Sequence, residues 1–160
     1  MPVAAPKRAA TFDVPETSYE ADPHAWALEQ ANHLRAGAWS KLDSANLADE
    51  IEDVAGSERR RLTSAFRIIL LHLLKWDHQP ERRTRSWTTS IRTQRLAVLY
   101  QLEDCPSLAP QVPDLIERAY QRARIEASGE TDFDETVFPE DLPYILDEIM
   151  THPIPRPPAP

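Results

Sequence analysis

Leu47, Ile51, Val54, Leu62, Ala65, Ile69, Leu73 and Trp76 fall within roughly 100° of one another when the chain is wound at about 3.6 residues per turn. One helical phase held from residue 47 to residue 76 constrains the fold more than any other feature, because a strand period would scatter these positions over both faces of a sheet. The pattern predicts a single long helix from about 44 to 78, capped by Asp43 or Ser44 and ended by Gln79-Pro80. Gly56-Ser57 is where it would bend, since the phase survives there and a true break would reset it.

Other helix signals flank this one. Asp22-Pro23 supplies an N-cap and a first helical residue, and Gly37 suits a left-handed exit. A third helix over about 84–103 sets Trp87, Ile91, Val98 and Leu102 on one stripe and should return antiparallel to the second. A fourth begins at Ser107 or Val112-Pro113, places Leu115, Ile116, Ala119, Tyr120 and Ala123 on one face, and ends near Ser128-Gly129. Residues 141–150 form a short fifth helix with Pro143 in its first turn. Three glycines in 160 residues leave little material for hairpin turns or phosphate loops, and no β-branched alternation competes. The expectation is an all-α fold: a bundle of four main helices plus a short C-terminal one. Residues 18–150 are read as a single helical domain, 1–17 as a flexible tail and 151–160 as a Pro-rich tail, both ends disordered or extended. Pro155 and Pro158 have PxxP spacing beside Arg156, which is read as plain tail.

The segments AWALEQANHLRAGAWSKLDSANLADEIEDV, RIILLHLLKW, QPERRTRSWTTSIRTQR, PSL and FPEDLPYILDEIM, in this order, resemble the bacterial family called domain of unknown function 29. The resemblance covers about residues 18–150. It implies an all-helical fold and carries no activity or catalytic residue with it.

Charge is unevenly distributed. Residues 58–95 hold ten Lys or Arg against three acids, while the other 122 residues hold eight against twenty-three. A net charge of −8 argues against a general nucleic-acid coat, although the basic segment permits a local polyanion contact. The lone Cys105 forms no intrachain disulfide and fits a reducing compartment. MPVAAPKRAA lacks a secretory apolar core, and the run Ile68 to Leu74 is far shorter than the roughly 20 residues of a membrane span. These features predict a soluble cytoplasmic protein without membrane contact.

Polar residues on apolar stripes are the natural places to look for chemistry. Glu58 and His72 lie on or beside the stripe of helix two, and Arg95 sits between Ile91 and Val98 on helix three. Such groups need partners or a place at the rim, so an internal polar network of Glu58, His72 and Arg95 is expected, with Arg95 finding a carboxylate on another helix. A hairpin turning at residues 80–81 would put His72 near Thr89, Arg95 near Phe66 and Glu58 opposite Glu103. Glu29, Glu50 and Asp53 form a possible acidic cluster at one end, and Glu29 and His33 have the i, i+4 spacing of paired ligands. No second helix supplies a Glu-x-x-His pair, and Glu50 and His72 are roughly 33 Å apart along a continuous helix. A solvated acidic face is the preferred reading, with no metal and no cofactor. No nucleophile motif, HExxH or phosphate-binding glycine pattern accompanies His72, so no catalytic residue is assigned and His72 is read as structural.

Arg82, Arg83 and Arg85 fall at the turn before helix three, close to Lys75, Trp76 and Trp87. Cations and large aromatics meeting at one end of a helix pair make a binding surface for an acidic partner, a phosphate or a base. The preferred function is a non-catalytic protein-interaction module using Lys75, Trp76, Arg82, Arg83, Arg85 and Trp87, with a protein partner or a second copy of the chain. The alternative is nucleic-acid binding or processing through the Arg-rich segment. A metal-dependent hydrolase built on Glu29, Glu50 or Asp53 ranks third.

Overall fold

The computed structural model describes residues 17–155 and 157. Among these residues it is all-α, with four main helices and a short C-terminal one and no strand: α1 (Pro23–Ala36), α2 (Ser44–His78), α3 (Arg85–Asp104), α4 (Val112–Thr131) and α5 (Leu146–Thr151). The flexible tail read into residues 1–17 lies outside the described residues except for Thr17, and the end of the Pro-rich tail, Arg156 and 158–160, also lies outside them. The chain divides into two compact units at Asp53/Val54.

In the first unit, α1 starts as its sequence dictates. The Asp22 carboxylate accepts the Ala25 N–H at 3.0 Å, and Pro23 occupies the first turn, where a missing N–H costs nothing. Gly37 closes the helix at φ 67°, a backbone setting that penalises any Cβ, and Ala38 N–H reaches the His33 carbonyl at 2.9 Å. Asp43 then opens α2. Its carboxylate accepts the Asn46 N–H at 3.3 Å and the Asn46 amide at 2.7 Å, and also the indole N–H of buried Trp26 at 3.2 Å. Gln30 accepts the Asp43 N–H at 2.8 Å, so one residue caps a helix and ties it to α1. These donors, Asn46 first, hold the Asp43 carboxyl below its usual range.

The second unit is organised around the later part of α2. Leu70, Leu71, Leu73, Leu74, Lys75 and Trp76 are consecutive or nearly so and all buried, which means that the helix is covered on almost every side. That environment accounts for the apolar run Ile68 to Leu74 as a central helix; among the described residues no helix is long and apolar enough to cross a membrane. Against it pack Ile91 and Val98 of α3, the α4 stripe from Leu115 to Ala127, Phe138 and Ile149. Ala119, Ala123 and Ala127 are fully buried at i, i+4 spacing, and their small side chains let α4 approach closely. Gln101 meets Glu58 and Trp87 lies beside His72, so α3 returns antiparallel to α2. Both partners stand two positions from the facing residues Glu103 and Thr89 that the sequence predicted. The chain reverses in a short turn at Pro80–Arg82, and Thr84 caps α3 by accepting the Trp87 N–H at 3.4 Å.

Three boundaries differ from expectation, each because a tertiary contact outweighs a local signal. The helix predicted over 141–150 begins only at Leu146, and Pro143 precedes it. Leu142 and Tyr144 instead pack on the core, and the Tyr144 hydroxyl donates to Asp77 at 2.7 Å, which holds this segment extended. Burial, and after it that carboxylate, drives the Tyr144 hydroxyl pKa upward. Likewise α4 continues past Gly129 to Thr131, which is buried and donates its hydroxyl to the Ala127 carbonyl at 2.6 Å; the left-handed exit falls on Asp132 at φ 61°. At the C-terminal end, Ile154 packs against the core beyond the residue where a tail was expected.

Gly129 therefore sits inside a helix, exposed, with nothing within 4 Å of where a Cβ would stand. Gly129→Ala is expected to stabilise the protein by about 0.5–1 kcal/mol through helix propensity and reduced unfolded-state entropy. Urea midpoints of the two proteins check this; a lower midpoint for the variant would contradict it.

Candidate functional site

Of the residues predicted to form a binding surface at the α2–α3 turn, Lys75 and Trp76 are buried, Trp87 is half-buried and Arg82, Arg83 and Arg85 are exposed. Lys75 is buried, pairs with Glu130 of α4 at 2.5 Å, and stands 4.6 Å from the centre of the Trp87 ring. Trp76 is only 3% exposed, and Arg83 lies over it at 4.6 Å while donating Nε to the Trp76 carbonyl at 2.9 Å. Arg85 donates to the Pro157 carbonyl at 3.3 Å, and Arg82 is exposed on the turn. Lys75 and Trp76 thus belong to the fold at this turn, while Arg82, Arg83 and Arg85 are exposed there, Arg83 tied to Trp76. With Trp76 covered, the paired-aromatic platform that base stacking needs is not formed at this turn.

Glu58, His72 and Arg95, read as one internal network, are not joined to one another. Glu58 pairs with Arg61 at 3.1 Å and accepts the Gln101 amide, on its carboxylate at 3.1 Å and on its carbonyl at 2.6 Å. In place of the carboxylate expected on another helix, Arg95 meets three backbone carbonyls: Ile149 at 2.8 Å, His152 at 3.0 Å and Glu148 at 3.5 Å. The Glu148 carbonyl also accepts the His152 N–H at 2.9 Å, and the guanidinium fork adds donors for the carbonyls at the C-terminal end of α5, so it caps that helix.

His72 Nδ1 is buried without a hydrogen-bond partner, and the ring lies 6.3 Å from that of Trp87. Burial first, and the Lys75 charge second, hold its pKa below the ordinary value, with Glu130 opposing them. The unfolded chain takes up this proton at about pH 6.5 while the folded one resists it, so stability is expected to fall as pH drops below about 7. In His72→Gln this share of the acid loss should vanish. Urea midpoints of both proteins across that range read it out; parallel pH profiles would contradict it.

In the first unit, Glu29 and His33 pair at 3.6 Å, and Glu29 also accepts the Thr17 N–H. Glu50 accepts the Tyr19 hydroxyl at 2.5 Å, a bond that with the neighbouring Asp53 and Asp49 charges raises the Tyr19 pKa. Among the described residues no three His, Cys, Asp or Glu side chains gather as ligands for a metal ion.

A second concentration of positive charge lies elsewhere. Arg59, Arg60 and Arg67 of α2 and Arg118 and Arg122 of α4 line one groove of about 600 Å³, with Gly56, Thr63, Ser64, Gln111, Asp114 and Leu115. The sequence pattern explains how both walls form. Arg59 and Arg67 flank the buried positions Leu62, Ala65 and Phe66, and Arg118 and Arg122 each precede a buried alanine of the α4 stripe, so the core contact leaves the arginines at the rim. Arg67 is paired with Glu126 and Arg60 has a partner, whereas Arg59, Arg118 and Arg122 form no ion pair among the described residues. Asp114 is the single carboxylate of the lining, placed in the first turn of α4, where the helix dipole favours it.

A family model described as Domain of unknown function DUF29 matches residues 18–153. The chain belongs to this family. No curated protein and no solved structure matches this DUF29 chain. Its groove was missed in the sequence because Arg118 and Arg122 lie outside the basic segment and some sixty positions from Arg59. The only sequence signal for it was a pair of arginines at i, i+4 beside the alanine stripe of helix four.

Proposed function

We propose that this DUF29 chain is a non-catalytic interaction module that holds an acidic protein partner in the arginine groove of its second unit. One observation carries the reading: five arginines from two helices line a groove with one carboxylate, and three of them are without an ion pair among the described residues. Guanidinium forks match carboxylates in bidentate geometry, and three uncompensated ones at a rim repel each other until an acid arrives. The groove has no aromatic side chain in its lining, and the chain carries a net −8, so nucleic acid is the weaker candidate.

Fluorescence anisotropy with labelled poly-glutamate and with single-stranded RNA, over a salt series, tests the reading. Poly-glutamate should bind at low salt, weaken as salt rises and lose its binding in Arg118→Glu/Arg122→Glu, with RNA weaker throughout. Failure to bind poly-glutamate at low salt, or binding indifferent to the double variant, would overturn it. Tighter binding of RNA would favour the nucleic-acid reading instead. Light scattering on the purified chain separates a second copy from a foreign partner.

A further inference from the structure

The direction in which α2 and α4 run defines what shape of ligand the groove accepts, provided that the acidic-partner reading holds. Arg67 pairs with Glu126, Lys75 with Glu130, and the Gln79 amide with the Thr131 carbonyl at 3.2 Å, so the two helices advance together. Arg59 of α2 and Arg118 and Arg122 of α4 line the same groove from opposite walls, all on the N-terminal side of the Arg67–Glu126 pair. Asp114 lies at the opposite end of the groove from the closed Arg67–Glu126 pair. Arg118 and Arg122 stand one turn apart, so the available positive charge is spread along roughly 6 Å, on both walls, rather than gathered at one point.

We infer that the groove takes a run of about three consecutive acidic residues in extended conformation, clasped by Arg59 from the α2 wall and by Arg118 and Arg122, one turn apart, from the α4 wall. An extended segment rises about 3.3 Å per residue and sends alternate side chains to opposite sides, so neighbouring acids address α2 and α4 in turn. Its unpaired backbone groups find Ser64 and Gln111 in the lining. A docked helix has no such need, and it requires apolar anchors of which the groove offers one large side chain, Leu115. Arg67 contributes little because Glu126 already holds it.

Two labelled peptides with the same number of glutamates test this on the full chain, one with the acids consecutive in a Gly/Ser context and one with an acid at every fourth position of an Ala-rich helix. The consecutive peptide should bind about tenfold tighter at low salt. Arg59→Ala, Arg118→Ala and Arg122→Ala should each weaken it about three- to fivefold, and Glu126→Gln, which frees Arg67, should tighten it. Equal affinity for the two peptides, or no gain from Glu126→Gln, would overturn the inference while leaving the acidic-partner reading intact. Binding of neither these peptides nor poly-glutamate would overturn both. Circular dichroism of each variant confirms that the fold is retained.

Discussion

Phe66→Ala is expected to lower the free energy of unfolding by about 3–5 kcal/mol. Phe66 is fully buried in α2, where Leu62, Ile69 and Leu70 on the same helix are also completely enclosed. Core helices that approach through Ala119, Ala123 and Ala127 are already in close contact and cannot slide inward to fill the void. The cost thus combines lost transfer energy with an unrelaxed cavity, and it is a large share of a marginal total of about 5–15 kcal/mol. Phe66→Leu, which keeps most of the volume, should cost about 1–1.5 kcal/mol. Urea titration followed by helical circular dichroism measures both. A shift under about 1 kcal/mol for the alanine variant would mean that the second unit is not packed around this part of α2.

Arg95→Ala is the second large effect, expected to cost about 2–4 kcal/mol. Its guanidinium is partly buried, and burial holds its pKa below the ordinary value, yet its bonds to the carbonyls of Glu148, Ile149 and His152 all require the charged fork. Removing it takes their side-chain donor from the Ile149 and His152 carbonyls at the negative end of α5 and removes a cation from that end. Lysine cannot recover the loss, since one ammonium does not reproduce a planar fork reaching three acceptors. Hydrogen exchange should show the amides of 148–152 losing protection before those of α2. Uniform loss over the whole second unit, or no loss at all, would contradict the clamp.

Those clamps illustrate what the sequence reveals and what it withholds. Local rules located α1, α2 and α3 almost to the residue, because Asp22, Gly37, Asp43 and Thr84 act on their own neighbours and Gln79-Pro80 stops a helix whatever surrounds it. They failed at α5, where Tyr144 reaches Asp77, and at the end of α4, where burial of Thr131 overrides Gly129. The long apolar stripe gave the helix but not its burial: Ile51 and Val54 keep the phase and are nevertheless 69% and 64% exposed.

The site was less legible than the fold. Lys75 paired with Glu130 looks in sequence like a free cation beside aromatics, since pairing with a residue 55 positions away leaves no local trace. The groove depends on α2 and α4 running side by side, a relation that no helical periodicity encodes.

The most direct measurement is nuclear magnetic resonance of the arginine Nε–Hε groups during titration with a consecutive-glutamate peptide. The signals of Arg59, Arg118 and Arg122 should shift together and saturably, those of Arg83 and Arg95 should stay in place, and Arg118→Glu should abolish the response. Shifts centred on Arg82 and Arg85, or none at all at low salt, would contradict the arginine groove as the partner-binding surface.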